Sequence, residues 1–95
     1  MKDKIKKLIT KSIMSLDDEA HIWIENIKID IAQTKDLSHG DLSCNTAMRL
    51  TKILKLSPLD IANKIIKNIE NIDGIEKIEA VAPGFINIFL TKSKN

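Results

Sequence analysis

Ninety-five residues suffice for one domain with a two-layer core, and 43% hydrophobic with 29% charged residues is the balance of an ordinary globular fold. A net charge of only +2 excludes a polycationic nucleic-acid binder, so RNA contact has to come from local placement of lysines. The lone Cys44 excludes an internal disulfide or a cysteine zinc cage. No apolar run reaches the length of a membrane span or resembles the core of a signal peptide, which implies a reducing, cytoplasmic setting.

From residue 3 to 16, Ile5, Leu8, Ile9, Ile13 and Leu16 form the stripe of an amphipathic helix, with Lys4, Lys7 and Lys11 on the opposite side. A solvated face is favoured for these lysines over a phosphate-facing strip. In residues 15–26, Ser15 with Asp18 suggests a helix cap while Ile22, Trp23 and Ile24 suit a strand, and the pattern does not choose. His21 and Trp23 fit an exposed histidine and a partly buried tryptophan better than a site. Ile27, Ile29 and Ile31 then alternate with Lys28, Asp30 and Ala32, predicting a half-buried strand. Lys28 would stand on the open face of the sheet if that strand joins it.

Residues 34–41 read as a loop, with Gly40 supplying a conformation other residues resist. His39, Asp41 and Cys44 are the one group resembling metal ligands, but three mixed ligands in a short loop are not a closed zinc set, and no metal is expected. A helix is predicted over 45–55, with Arg49, the chain's single arginine, on its outer side. Ser57 as cap, Pro58 at the first position and Asp60 in the first turn open another helix over 58–70, with Ile61, Ala62, Ile65, Ile66 and Ile69 as its stripe. Asp73-Gly74 turns the chain into a strand over Ile75–Val81.

The last strand carries the most information. After Pro83-Gly84, the run Phe85–Leu90 alternates with period two. Ile86, Ile88 and Leu90 make one aliphatic face. Phe85, Asn87 and Phe89 make the other, so two of the chain's three aromatics flank an amide. Rings can stack on unpaired bases while an amide bonds their edges. The order helix, two strands, helices, two strands gives a two-layer α+β domain (α-β-β-α-α-β-β), an antiparallel sheet of about four strands with helices on one face. Ile29, Ile86, Ile88 and Leu90 are expected beneath those helices. The helices need only one face, which leaves Phe85, Asn87 and Phe89 free.

Two blocks resemble a known family. The stretch Pro83-Gly84-Phe85-Ile86-Asn87 with Leu90 is similar to the closing motif of the N-terminal additional domain of arginyl-tRNA synthetases. His39-Gly40-Asp41, with Asn45, Ala47 and Met48, resembles an earlier segment of that domain, and Ser57-Pro58 with Ile61-Ala62 its next helix start. Leu42 stands where the family usually has an aromatic, and Ala82 where it more often has glycine. The resemblance implies a tRNA-binding domain over residues 1–90, with 91–95 beginning a linker to a catalytic domain.

It implies a class I arginine–tRNA ligase as parent enzyme, using ATP and Mg, with no cofactor and no catalytic residue in this part. Phe85 and Asn87 would contact the D-loop of tRNA(Arg), with Phe89 and Lys28 as weaker candidates. Gly40, Asp41, Asn45, Pro83 and Gly84 would be structural. The expected partners are tRNA and the catalytic domain of the same polypeptide, with a monomeric, membrane-free state. A free-standing RNA-binding module, or a protein-interaction domain using the aromatic face, are the alternatives. No nucleophile with a partnered base, phosphate-cradling glycine loop or carboxylate pair in a cleft supports catalysis.

Overall fold

A computed structural model describes residues 2–35, 40–69 and 72–91 of the chain. Helix α1 spans Lys2–Met14, α2 spans Ala20–Trp23, and a single 3-10 turn covers Ile24–Asn26. Strands β1 (Ile31–Gln33) and β2 (Leu42–Cys44) follow. Then come α3 (Thr46–Arg49), α4 (Thr51–Leu54), α5 (Pro58–Lys67) and the hairpin β3 (Ile75–Val81) and β4 (Phe85–Leu90).

The four strands form one antiparallel sheet in the order β1-β2-β4-β3. Cross-strand register sorts its side chains into rows. Ile31, Cys44, Ile86 and Ala80 face the core together, as do Leu42, Ile88 and Ile78 in the next row. Ala32, Ser43, Asn87 and Glu79 line up on the opposite face.

The helical layer closes the core from one side. Ile5, Ile9 and Ile13, spaced four apart on α1, meet the buried face of α5 at Ile61, Ala62 and Ile65. Burying each isoleucine is worth roughly 1.5–3 kcal/mol. The Ser12 hydroxyl, also buried in this contact, donates to the Ile65 carbonyl at 2.7 Å, so no polar group is stranded there. Helix α5 starts as its sequence predicts: Ser57 Oγ accepts from the Asp60 amide at 3.2 Å, with Pro58 following the cap.

Three boundaries differ from expectation. Ile27 ends a helical turn, and residues 28–30 belong to no helix or strand. Its would-be partner β2 is only three residues long before Asn45 turns into α3, so pairing begins at Ile31. Ile29 is still buried, but ahead of the strand. Residues 15–26, where the pattern does not choose, form a turn over 15–19 followed by α2 and the 3-10 turn: Asp17 Oδ1 accepts from the Glu19 amide at 3.0 Å and Oδ2 from Trp23 Nε1 at 3.1 Å, so Asp17 rather than Ser15 organises this turn. The helix over 45–55 breaks at Leu50, whose amide bonds back to Ala47 at 3.2 Å while its side chain is buried, and Lys55 ends it at φ 56°. Helix α5 stops at Lys67, three residues short.

Candidate nucleic-acid interface

Strand β4 has the expected phase. Ile86 and Ile88 are fully buried beneath the helices, and Phe85 is 38% exposed on the other side. Among the described residues, no helix covers that side. Asn87 shares it but is only 4% exposed. This corrects the picture of an open amide between two rings. Asn87 is flanked by Ser43 on β2 and Glu79 on β3, and it forms part of a cavity of about 510 Å³. Thr34, Lys35, Ser43, Val81, Ala82 and Phe85 line the rest. The Ser43 hydroxyl donates to Asn87 Oδ1 at 3.2 Å.

The far end of the same strand face is arranged differently. The Lys77 ammonium lies 4.4 Å from the centre of the Phe89 ring, a cation–π contact. Its other neighbour is Glu79, whose carboxylate is 3.7 Å away. Phe89 is also within reach of Gly40: a Cβ there would stand 3.3 Å from the ring. One ring therefore opens onto a cavity and the other is capped.

Two glycine corners hold this geometry. Gly40 has φ 87°, and an added Cβ would meet the Ile88 carbonyl oxygen at 2.7 Å, so the position excludes side chains twice over. Asp41 next to it extends the sheet: its amide donates to the Ile88 carbonyl at 2.8 Å, and its carboxylate accepts from the Leu90 amide at 2.8 Å. The Thr34 hydroxyl donates to the Gly40 carbonyl, closing the loop from β1. At the hairpin, Pro83 lies exposed in the turn while Gly84 is buried against α5. A Cβ on Gly84 would collide with Pro58 and approach Met48 at 3.3 Å. The closing motif and the helix start thus touch.

The remaining candidates separate from this site. Lys28 precedes β1 instead of standing on the sheet, and its ammonium is 3.9 Å from Asp30. Asn45 occupies the N-cap position of α3 without a side-chain capping bond, and its Oδ1 is buried with no partner among the described residues. His39 lies outside the described residues. Cys44 points into the core, where burial pushes its thiol up in pKa despite its hydrogen bonds with Thr46; such a thiol is a poor nucleophile or ligand. Thr34, Lys35 and Ser43 went unnoticed in the sequence. Only the long-range pairing of β2 with β4, Ser43 opposite Asn87, brings one of them to the site, and no local signal reports that.

The sheet and its aromatic corner define a two-layer α+β module, with helices on one face and Phe85 beside a cavity on the other. The chain belongs to the family of arginyl-tRNA synthetase N-terminal domains, whose family model, described as "Arginyl tRNA synthetase N terminal domain", matches residues 3–90. It is 35% identical over 94 residues to the arginine–tRNA ligase of Shewanella loihica and 37% identical over 91 residues to that of Shewanella frigidimarina. Those matches cover 98% and 95% of this chain but 16% of each relative, so the chain spans about one-sixth of their length. The fold is similar to a crystal structure of arginyl-tRNA synthetase from Plasmodium falciparum, with TM-score 0.72 and 26% identity over 95% of this chain and 16% of that one.

Proposed function

We propose that this domain holds the D-loop at the outer corner of tRNA(Arg) and so positions the tRNA for aminoacylation by a catalytic domain of the same polypeptide. The observation that supports this most is the half-exposed Phe85 ring beside a nucleotide-sized cavity that includes Asn87, on the face the helices leave free. An unstacked base lies on the Phe85 ring, and Asn87 bonds its edge. Lys35, the cation lining the cavity, is placed to meet a backbone phosphate. The parent enzyme is an arginine–tRNA ligase that uses ATP and Mg; this domain acts as a monomer, takes neither cofactor, and on its own neither exchanges pyrophosphate nor charges tRNA.

The test is titration of a tRNA(Arg) transcript, and of D-loop variants, with this chain across a salt series. Phe85→Ala weakens binding by roughly 1–3 kcal/mol for every variant alike. Asn87→Ala costs less and flattens the preference among bases. If both leave affinity and preference unchanged with the fold intact, the reading fails. A binding constant insensitive to salt would instead point to a protein partner on this face, since phosphate contacts release counterions.

A further inference from the structure

The Asn87 amide raises a question of polarity that its position alone does not answer. A primary amide carries an acceptor at one end and two donors at the other, and rotating its side chain half a turn exchanges them. Free to rotate, Asn87 would bond acceptor and donor edges with equal ease and discriminate poorly. It is not free. The register of β2 against β4 sets Ser43 directly opposite Asn87, and the Ser43 hydroxyl donates to Oδ1 at 3.2 Å. The neighbour on the other side, Glu79, directs its carboxylate to Lys77 at 3.7 Å. Among the described residues, the Asn87 amide nitrogen has no partner, although the residue is 96% buried by its 4% exposure and lines the cavity.

That donor borders the cavity, so an entering group that presents an acceptor can pair with it. Resting on the nucleotide reading above, we propose that Ser43 is a positioning residue that holds the Asn87 carbonyl so that its NH2 group faces the cavity. The site then selects a nucleobase that presents an acceptor to Asn87, a ring nitrogen or keto oxygen, and rejects one that presents an exocyclic amine. Stacking on Phe85 supplies affinity without choice. The Ser43–Asn87 pair supplies the choice.

The experiment uses this chain and a set of tRNA(Arg) transcripts in which each unpaired D-loop position carries U, C, A or G, with affinity measured by fluorescence anisotropy. At the position the wild type reads, the ratio of best to worst affinity is the readout. Ser43→Ala brings that ratio toward unity by about fivefold, the loss of one orienting hydrogen bond, while affinity averaged over the four bases changes less. Ser43→Thr keeps the hydroxyl and restores the ratio, which a merely structural role would not require. Asn87→Asp offers acceptors only, so it reverses the order of preference toward amine-bearing edges; this arm does not depend on how well Ser43 variants fold. An unchanged ratio in Ser43→Ala, or an unreversed order in Asn87→Asp, overturns the inference while leaving the nucleotide reading in place, provided Phe85→Ala and Asn87→Ala weaken binding. If those two variants bind like wild type, both fall together.

Discussion

Phe85 and Phe89 sit four residues apart on one face of one strand, yet they have become different objects. Phe85, next to the hairpin turn, has β3 beside it and a cavity in front. Phe89, at the other end, carries the Lys77 ammonium on its ring and packs near Gly40. A strand's period assigns side chains to a face, but the neighbouring strands and loops decide whether that face is usable. Under the proposed function the comparison makes Phe85 the contact residue and Phe89 a structural one, and each half of that statement can be attacked separately.

The largest effects come from breaking the two glycine corners. Gly40→Ala pushes a methyl group into the Ile88 carbonyl at the Phe89 end; such overpacking costs roughly 1–3 kcal/mol, and the left-handed backbone adds about 1–2. Gly84→Ala does similar damage at the Phe85 end by colliding with Pro58. Urea unfolding followed through Trp23 fluorescence measures both. Of the two, only Gly84→Ala should reduce RNA affinity beyond the fraction of chains unfolded, because it moves the turn that carries Phe85. Equal loss of affinity per folded molecule in both variants would mean the two ends act as one.

Next in size is the direct exchange between the rings. Phe85→Ala should leave stability within about 0.5 kcal/mol, as exposed positions do, while weakening tRNA binding by roughly 1–3 kcal/mol. Phe89→Ala should do the opposite, losing roughly 0.5–3 kcal/mol of stability with little change in affinity. A stable Phe89→Ala that binds RNA more weakly than Phe85→Ala would invert the assignment.

A smaller effect reaches the Phe85 end alone. Ser57→Ala removes the cap of α5 and should cost about 1 kcal/mol. Because Pro58 is the surface on which Gly84 rests, hydrogen exchange should quicken at the amides of Ala82, Gly84 and Phe85 and not at Asp41 or Leu90. Uniform quickening across β4 would count against separate support for the two ends.

How much of this was legible depended on whether the cause was local. The stripes of α1 and α5, the Ser57 cap and the phase of β3 and β4 follow from periodicity and short-range chemistry, and the sequence pattern carries them. The start of β1 differs from its sequence pattern because it is set by the three-residue length of β2, whose last residue, Cys44, pairs with Ile31 from beyond a loop. Lys28 left the site for the same reason. The break at Leu50 is imposed by burial of that side chain against the rest of the core, which outweighs the helical propensity of the residues around it. Asn87 was placed on the right face but with the wrong exposure, since Ser43, Glu79 and the cavity around it arrive from strands and a loop whose pairing a single sequence does not state.

The smallest effect tests the cap itself. Lys77 lies 4.4 Å from the Phe89 ring centre and 3.7 Å from Glu79, with Lys77 and Glu79 exposed and Phe89 half-buried. Lys77→Met keeps the length of the side chain and removes its charge. An exposed cation–π contact contributes about 0.5–1 kcal/mol, and an exposed ion pair contributes little more, so stability should fall by no more than roughly 1 kcal/mol. The informative measurement is RNA binding against salt. A lysine held by its own ring and carboxylate is no phosphate contact, so the slope of log affinity against log salt should stay that of the wild type. Each lysine that does neutralise a phosphate contributes about 0.9 to that slope on a duplex and about 0.7 on a single strand. A slope reduced by that amount in Lys77→Met would show that the ammonium leaves Phe89 when RNA arrives. The capped ring would then be uncovered in the complex, and the face would offer two stacking surfaces where the free domain shows one.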